Sequence, residues 1–505
     1  MSREFERILE SKRALRKQLA EKPIAEKLRI VEELAERSLA TRKDNSAQLP
    51  ETPWAIPPTW RWSRMGDVAT IIGGGTPKTD RADFFGGEVP WITPADLSGY
   101  KAKTISRGAR NITEAGLANS GARLMPANTV LFSSRAPIGY VAIAANPVAT
   151  NQGFKSFVLD EELLPDFVYY FLQRAKEFAV ALASGTTFLE ISGKNAARLP
   201  IPVPPLSEQR RIVAEIEKQF TRLEAGVAAL RRVQANLKRY RAAVLKAACE
   251  GCLVPIEAEL AKAGNRKAKF ETGEVLLARI LTERRKNWQG RGHYKEPVAP
   301  DTEKLPTLPE GWTWVSADQI SSQITDGEHI QPRYTTEGYP MLSAKHVRNG
   351  YVIYTDAPFI SEADFQACLK RCAPTRDDIL IVCVGATTGR AAIVGDAKPF
   401  AVVRSVLLIR ALIHPRFMLA WVQSPWCQTW IQSASGSSAQ AHFYINNAKN
   451  MSVPLPPLAE QTRIVAEVER RLSVVEELNT VVSANLQRAI RLRQSILQKA
   501  FTGGL

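Results

Sequence analysis

Cysteine and histidine are both scarce in this chain, six and five residues among 505. Six cysteines over such a length make no disulfide framework, and no HExxH or HxxxH spacing joins the histidines, so a metal centre is not expected. Cys249 and Cys252 form one CxxC, but the positions that match them 252 residues later are Phe501 and Gly504. A ligand pair missing from an otherwise similar copy reads as a helix-end core position. Long apolar runs are also missing. The best, Ile379 to Val394, is interrupted by Thr387, Thr388 and Arg390, so no membrane partner is expected. Arg3, Glu4, Glu6 and Arg7 stand where a signal peptide would be apolar, which points to a cytoplasmic setting.

Cofactor loops are absent as well. Gly73-Gly74-Gly75-Thr76-Pro77-Lys78 lacks the Walker spacing, and Pro77 falls where a helix would have to be running. No Gly-x-Gly-x-x-Gly follows a strand, and no Asn/Asp-Pro-Pro-aromatic run marks an amino-methyltransferase. Pro300-Asp301 with Glu303-Lys304 crowds nuclease-like residues into a linker rather than onto separate strands. No cofactor and no catalytic residue is therefore expected in this chain. Acidic residues fall short too: 51 Asp and Glu against 67 Lys and Arg leave a net charge of +16. A polyanionic partner rewards such a surplus through counterion release.

What is present is one unit written twice. Pro204-Pro205-Leu206-Ser207-Glu208-Gln209 returns as Pro456-Pro457-Leu458-Ala459-Glu460-Gln461, 252 residues on. The same spacing carries Trp60 and Trp62 onto Trp312 and Trp314, and it drifts by a residue or two between these anchors, pairing Gly139 with Gly389 and Gly185 with Gly436. Each half runs from a short helical segment (5–40, and about 272–288) through a Pro-rich bridge into a mixed region and then a long helix. The mixed regions are α+β, with buried strands expected at Val130–Phe132, Ile379–Val384 and Ser405–Ile409, and helices near Pro165–Ala183 and Pro415–Gln432.

The closing helices carry apolar stripes stepping by three and four: Val213, Ile216, Phe220, Leu223, Val227 and Leu230, then Val233, Leu237, Tyr240 and Val244 in the first. Val465, Val468, Leu472, Val475, Val482 and Leu486 follow suit in the second. Some 45 residues make a rod of roughly 65 Å, longer than one such domain needs, so the two helices are expected to pair antiparallel about a pseudo-twofold axis. Residues 206–248 hold ten Lys/Arg and four Asp/Glu, a face suited to phosphates or to an acidic partner.

Several polar residues interrupt strand-like or turn-like runs: Arg135, Asn151, Gln152 and Lys155 in the first half, and Lys345, His346, Arg348, Arg390 and Arg404 in the second. Each taken singly is also an ordinary turn or solvated-face residue. Together they supply the bidentate hydrogen bonds and cations that read base edges and hold phosphates, and the set reads as DNA-facing.

The Pro202–Glu217 string and its copy Pro454–Glu469 resemble the helix starts of type I restriction–modification specificity subunits. So do Gly73–Lys78 leading to Pro90-Trp91-Ile92-Thr93, the Val130–Ala142 run, and Thr150–Phe154. The resemblance adds Lys78 to the DNA-facing set. It implies an α+β fold of two pseudo-twofold-related α/β target-recognition domains separated by a long antiparallel coiled-coil helix pair. The corresponding segments are 1–48 (N-terminal helical), 49–205 (first recognition domain), 206–253 (central long helix), 254–304 (linker with a short helix), 305–457 (second recognition domain) and 458–505 (C-terminal long helix). It also implies a bipartite double-stranded DNA target and two methyltransferase plus two restriction/translocase subunits as partners, which would carry the S-adenosylmethionine, ATP and Mg chemistry. The second half lacks the Thr-Pro-Lys and Thr-Asn-Gln-Gly runs. Other readings are recognition within another two-domain restriction–modification system, an enzyme fused to its own reader, or a duplicated scaffold that never meets DNA.

Overall fold

The structure, a computed structural model, describes residues 53–185, 189–263, 270–289, 292–329, 332–396, 398–436 and 442–505. The helical segment expected over 5–40 lies outside the described residues. The chain divides into two compact units whose limits cut both long helices: Met1–Val227 with Gln487–Leu505, and Ala228–Leu486. Each unit thus holds one mixed region, the start of the helix that follows it, and the closing turns of the other long helix.

In unit 1, strand β1 (Arg61–Arg64) pairs antiparallel with β7 (Pro200–Val203), Arg61 opposite Val203. The main sheet is ordered β2 (Ala69–Gly73), β6 (Lys155–Leu159), β4 (Val130–Phe132), β5 (Val141–Ala144), β3 (Thr104–Ile105). Val130-Leu131-Phe132 is apolar throughout because both faces of the sheet are covered. Val130 and Phe132 enter one core with Phe157, Phe167 and Phe171, while Leu131 joins Ile92, Ile105 and Phe154 on the other side.

Unit 2 repeats this plan. β8 (Thr313–Ser316) pairs with β13 (Ser452–Leu455), Thr313 opposite Leu455, and the main sheet is ordered β9 (Ser321–Asp326), β12 (Val406–Ala411), β10 (Ile379–Val382), β11 (Ala391–Ile393). Ile379 and Ile381 face one core and Leu380 and Val382 the other. Helices Pro165–Arg174 and Pro415–Gln423 both start on a proline, whose missing N–H costs nothing in a first turn. The helix expected near 272–288 is Gly273–Lys286, with the Thr272 side chain accepting from Val275 N–H. The Gly pairs predicted by the repeat all take a positive φ, which glycine adopts at no steric cost: +100° and +89° at Gly139 and Gly389, and +130° and +79° at Gly185 and Gly436.

The long helices are Leu206–Cys249 and Leu458–Ala500. The motif repeated at their starts is a fastening. Trp60 Nε1 donates to Glu208 at 2.6 Å and Trp312 Nε1 to Glu460 at 2.9 Å. The buried Gln209 accepts from Leu164 N–H (2.9 Å) and donates to the carbonyls of Glu162 (2.8 Å) and Pro204 (2.9 Å). Gln461 accepts from His414 N–H and donates to the Pro456 carbonyl, both at 2.9 Å.

Within unit 1 the two helix segments run antiparallel. Arg211 bonds the main chain of Leu505, and thirteen residues further along Glu224 meets Arg493 at 3.2 Å. Arg493 also lies 3.9 Å over the Phe220 ring, and Ile212, Ile216, Phe220, Leu497 and Phe501 share the core. Within unit 2, Arg241 meets Glu476 at 3.6 Å, Glu257 pairs with Arg463, and Val244 and Leu245 pack in one core with Val465, Val468, Leu472 and Val475. The second helix buries Val465, Val468, Leu472, Val475 and Val482 of its expected stripe and leaves Leu486 half-buried. In the first, Ile212 is more deeply placed than Val213, and Val233 and Tyr240 stand 42% and 46% exposed, so the periodicity there overstates the seam. Cys249 closes the first long helix as a buried core residue, like Phe501 after the second.

Candidate nucleic-acid interface

In unit 1 the end of β2, the end of β4 and the start of β6 lie at one edge of the main sheet, because Gly73 pairs with Lys155 and Ser133 bridges Phe154. Three loops converge there. Gly74 sits where a Cβ would stand 2.0 Å from the Asn151 carbonyl, so only glycine fits. Gly75 N–H donates to the Thr150 carbonyl at 2.9 Å, and Trp91 Nε1 to the Gly75 carbonyl at 3.0 Å. The Gly73–Lys78 and Thr150–Phe154 runs are therefore packed together, and the Thr76 hydroxyl donates to Gln152 Oε1, 76 residues along the chain. Asn151 Oδ1 accepts from Gly153 N–H at 2.9 Å, which commits that side chain to its own turn.

Arg135 stands in the third loop, just before the cis Ala136–Pro137 bond. Glu190, whose backbone bridges that of Arg135, reaches Arg135 at 3.5 Å and Lys155 at 3.4 Å. Lys155 also approaches the Gln152 carbonyl at 3.4 Å. Four of the expected residues, Arg135, Asn151, Gln152 and Lys155, are thus gathered on one edge. Lys78 lies exposed on the Gly-rich loop beyond Thr76. Glu190 carries no signal in the sequence, since a phosphate-binding surface argues for the opposite charge and its partners lie 35 and 55 residues away.

Unit 2 builds the same edge from different residues. Gly327 takes the place of Gly74: a Cβ there would stand 2.2 Å from the Val402 carbonyl, and Glu328 N–H donates to that carbonyl at 2.8 Å. Arg404 takes the place of Gln152, because Cys383 N–H donates to Ser405 as Ser134 N–H does to Gly153. Val384 bridges His442 as Arg135 bridges Glu190. Arg404 is exposed, and Arg390, at the end of the loop that carries Val384, bonds the Val347 carbonyl at 3.4 Å beside Arg348. Lys345 bonds the Asp356 carbonyl at 3.2 Å.

His346 belongs to the interior. It is 1% exposed, its Nδ1 accepts from Ser343 N–H at 2.9 Å, and burial, with Lys345 and Arg348 close by, holds its pKa below the usual value. A neutral, buried imidazole offers no edge to a base, so the residue expected at the interface shapes the loop instead. Beneath the edge Asp326 is held by Arg371 and by His329 at 2.8 Å; partial burial opposes its ionisation, but these two partners bring its pKa below normal. Neither Asp326 nor Arg371 stands out in the sequence.

A profile of the type I restriction modification DNA specificity domain matches residues 57–229 and again 312–481. The chain belongs to this family. It is 40% identical over 159 residues to the type I restriction enzyme MjaIX specificity subunit of Methanocaldococcus jannaschii, spanning 31% of this chain and 37% of that one. The EcoKI specificity subunit of Escherichia coli strain K12 is 23% identical over 472 residues, 89% of this chain and 90% of that one. A solved structure concerned with complex assembly of the type I restriction–modification system superposes on 90% of this chain and 100% of its own with a TM-score of 0.61 at 21% identity, which supports the fold. Among the described residues no helix is long and apolar enough to cross a membrane.

Proposed function

We propose that this chain is the non-catalytic DNA-reading subunit of a type I restriction–modification complex, with the sheet edge of each unit reading one part of a bipartite site. One observation carries the assignment: a single edge is constructed twice with the same glycine, the same loop hydrogen bonds and the same sheet pairing, yet displays different polar side chains. Duplicated scaffolds with divergent loop tips are what two half-sites of unlike sequence require.

Gln152 can pair with an adenine edge and Arg404 with a guanine edge, each worth about 1–3 kcal/mol of discrimination. Lys78, Arg348 and Arg390 suit phosphates, which position the protein without reading sequence. In unit 1 Glu190 holds Arg135 and Lys155 in place; an arriving phosphate competes for the same cations, so binding exchanges one anionic partner for another and weakens steeply with salt. Two methyltransferase subunits and two restriction/translocase subunits, working in the cytoplasm, would supply the S-adenosylmethionine, ATP and Mg chemistry.

The test is single-molecule methylation mapping of a genome in which the chain is expressed with its methyltransferase. One split motif is expected, with Gln152→Ala relaxing one half and Arg404→Ala the other. A continuous motif, or both halves relaxing with either variant, would exclude the assignment.

A further inference from the structure

The repeat supplies a natural comparison at a place away from the DNA edge. In unit 1 the indole of Trp54 is a plug. It stacks on Phe178 with ring centroids 5.7 Å apart, meets Trp62 edge-on at 5.0 Å, and lies 5.4 Å beneath the Arg174 guanidinium. Its Nε1 donates at 2.7 Å to the main-chain oxygen of Phe501, in the turn that closes the second long helix. Carbonyls at a helix end have no partner within the helix, and Trp54 satisfies this one.

At the 252-residue spacing Trp54 becomes Pro306, Trp62 becomes Trp314 and Phe501 becomes Cys249. The backbones correspond: Trp62 Nε1 donates to the Trp54 carbonyl at 3.2 Å, and Trp314 Nε1 to the Pro306 carbonyl at 2.9 Å. The helix ends correspond as well, with Gly503 at φ +78° and Gly251 at φ +70°. The filler does not. Proline and cysteine replace the two large side chains, and unit 2 has there a cavity of about 210 Å³ walled by Trp314, Trp421, Trp426, Pro306 and Cys249. An apolar cavity of roughly 150 Å³ holds benzene, so this one has room for a bicyclic ring.

We propose that this cavity receives a tryptophan side chain from a partner polypeptide, its ring against the three indole walls and its N–H donated to the carbonyl at the end of the first long helix. Unit 1 shows what such a pocket holds when the chain fills it itself, namely an indole carried on a peptide. The site is independent of the DNA reading, since none of its residues lies on the loops of the sheet edge.

The full chain is titrated with N-acetyl-tryptophanamide, with N-acetyl-leucinamide and with free indole, followed by saturation-transfer NMR and by thermal melting. Binding of the tryptophan amide at one site per chain is expected, with a Kd on the order of 1 mM as suits a fragment of this size, and no response to the leucine amide. Pro306→Trp, which reinstates the plug of unit 1, should abolish the binding and the ligand-induced rise in Tm. No saturation transfer to the wild-type chain overturns the proposal, as does binding unchanged in a folded Pro306→Trp. Binding of free indole without the amide overturns the polypeptide occupant. The wild-type titration decides even where the variant fails to fold.

Discussion

At the root of the long helix the two units are nearly interchangeable, whereas at the sheet edge they share a glycine and a backbone path but not the side chains displayed on it. Trp60 and Glu208 are repeated by Trp312 and Glu460, and Gln209 by Gln461, with hydrogen bonds agreeing to within a few tenths of an ångström. At the edge, Gln152 faces Arg404 as its counterpart, Arg135 a valine, and Glu190 a histidine. The difference separates two demands on one fold. A buried amide must meet all its partners or forfeit stability, which fixes its neighbours. An exposed loop tip is limited only by the backbone path, which Gly74 and Gly327 secure, so its side chains are free to suit different targets.

Breaking the shared part should have the largest effect. Gln209→Leu takes the partner from three backbone groups and Gln461→Leu from two; the buried Pro204 and Pro456 carbonyls cost about 1–3 kcal/mol each and the half-buried groups less. Native-state hydrogen exchange should therefore show several kcal/mol lost from the mutated unit, more in unit 1 than in unit 2. Losses below 1 kcal/mol in both would mean that the motif does not fasten the helices.

At the differing part, Gln152→Ala and Arg404→Ala should each cost about 1–3 kcal/mol of affinity for DNA, leaving thermal stability unchanged. Competition binding against single-base variants of the target measures this. A uniform loss across all bases would move the residue from reading bases to holding phosphates.

The units also differ in acid response. All five histidines lie at or beyond residue 293, within unit 2. Burial lowers the pKa of His346 and of His414. A group whose pKa is depressed by folding contributes stability above its unfolded value, near 6.5, that is lost as pH falls toward the folded value. Between pH 7 and 5.5 unit 2 should lose stability that a His346→Gln, His414→Gln double variant retains. The opposite trend from Glu460, whose burial raises its pKa, cancels between the two proteins. Exchange rates mapped by unit at both pH values give the answer, and parallel slopes would remove the histidines from the account.

The smallest effect concerns the helix segments of unit 1. Arg493 makes an ion pair with Glu224 and stacks over Phe220, so Arg493→Ala should cost about 1 kcal/mol and Glu224→Ala less, since the stacking survives. Equal costs, read from urea midpoints, would assign the whole effect to charge.

The duplication, the two long helices, the strand Val130–Phe132, the strand expected over Ile379–Val384 (which ends at Val382) and the family were all determined by the sequence alone, because periodicity and repetition survive in one dimension. The gathering of the Gly73–Lys78 and Thr150–Phe154 runs was decided only in three dimensions, as was the equivalence of Gly327 to Gly74 once the surrounding letters had changed. Glu190 between two cations and the burial of His346 also came from the fold. Each depends on which chain segments pack against which loop, and a side chain's chemistry does not say whether its neighbours will leave it in water.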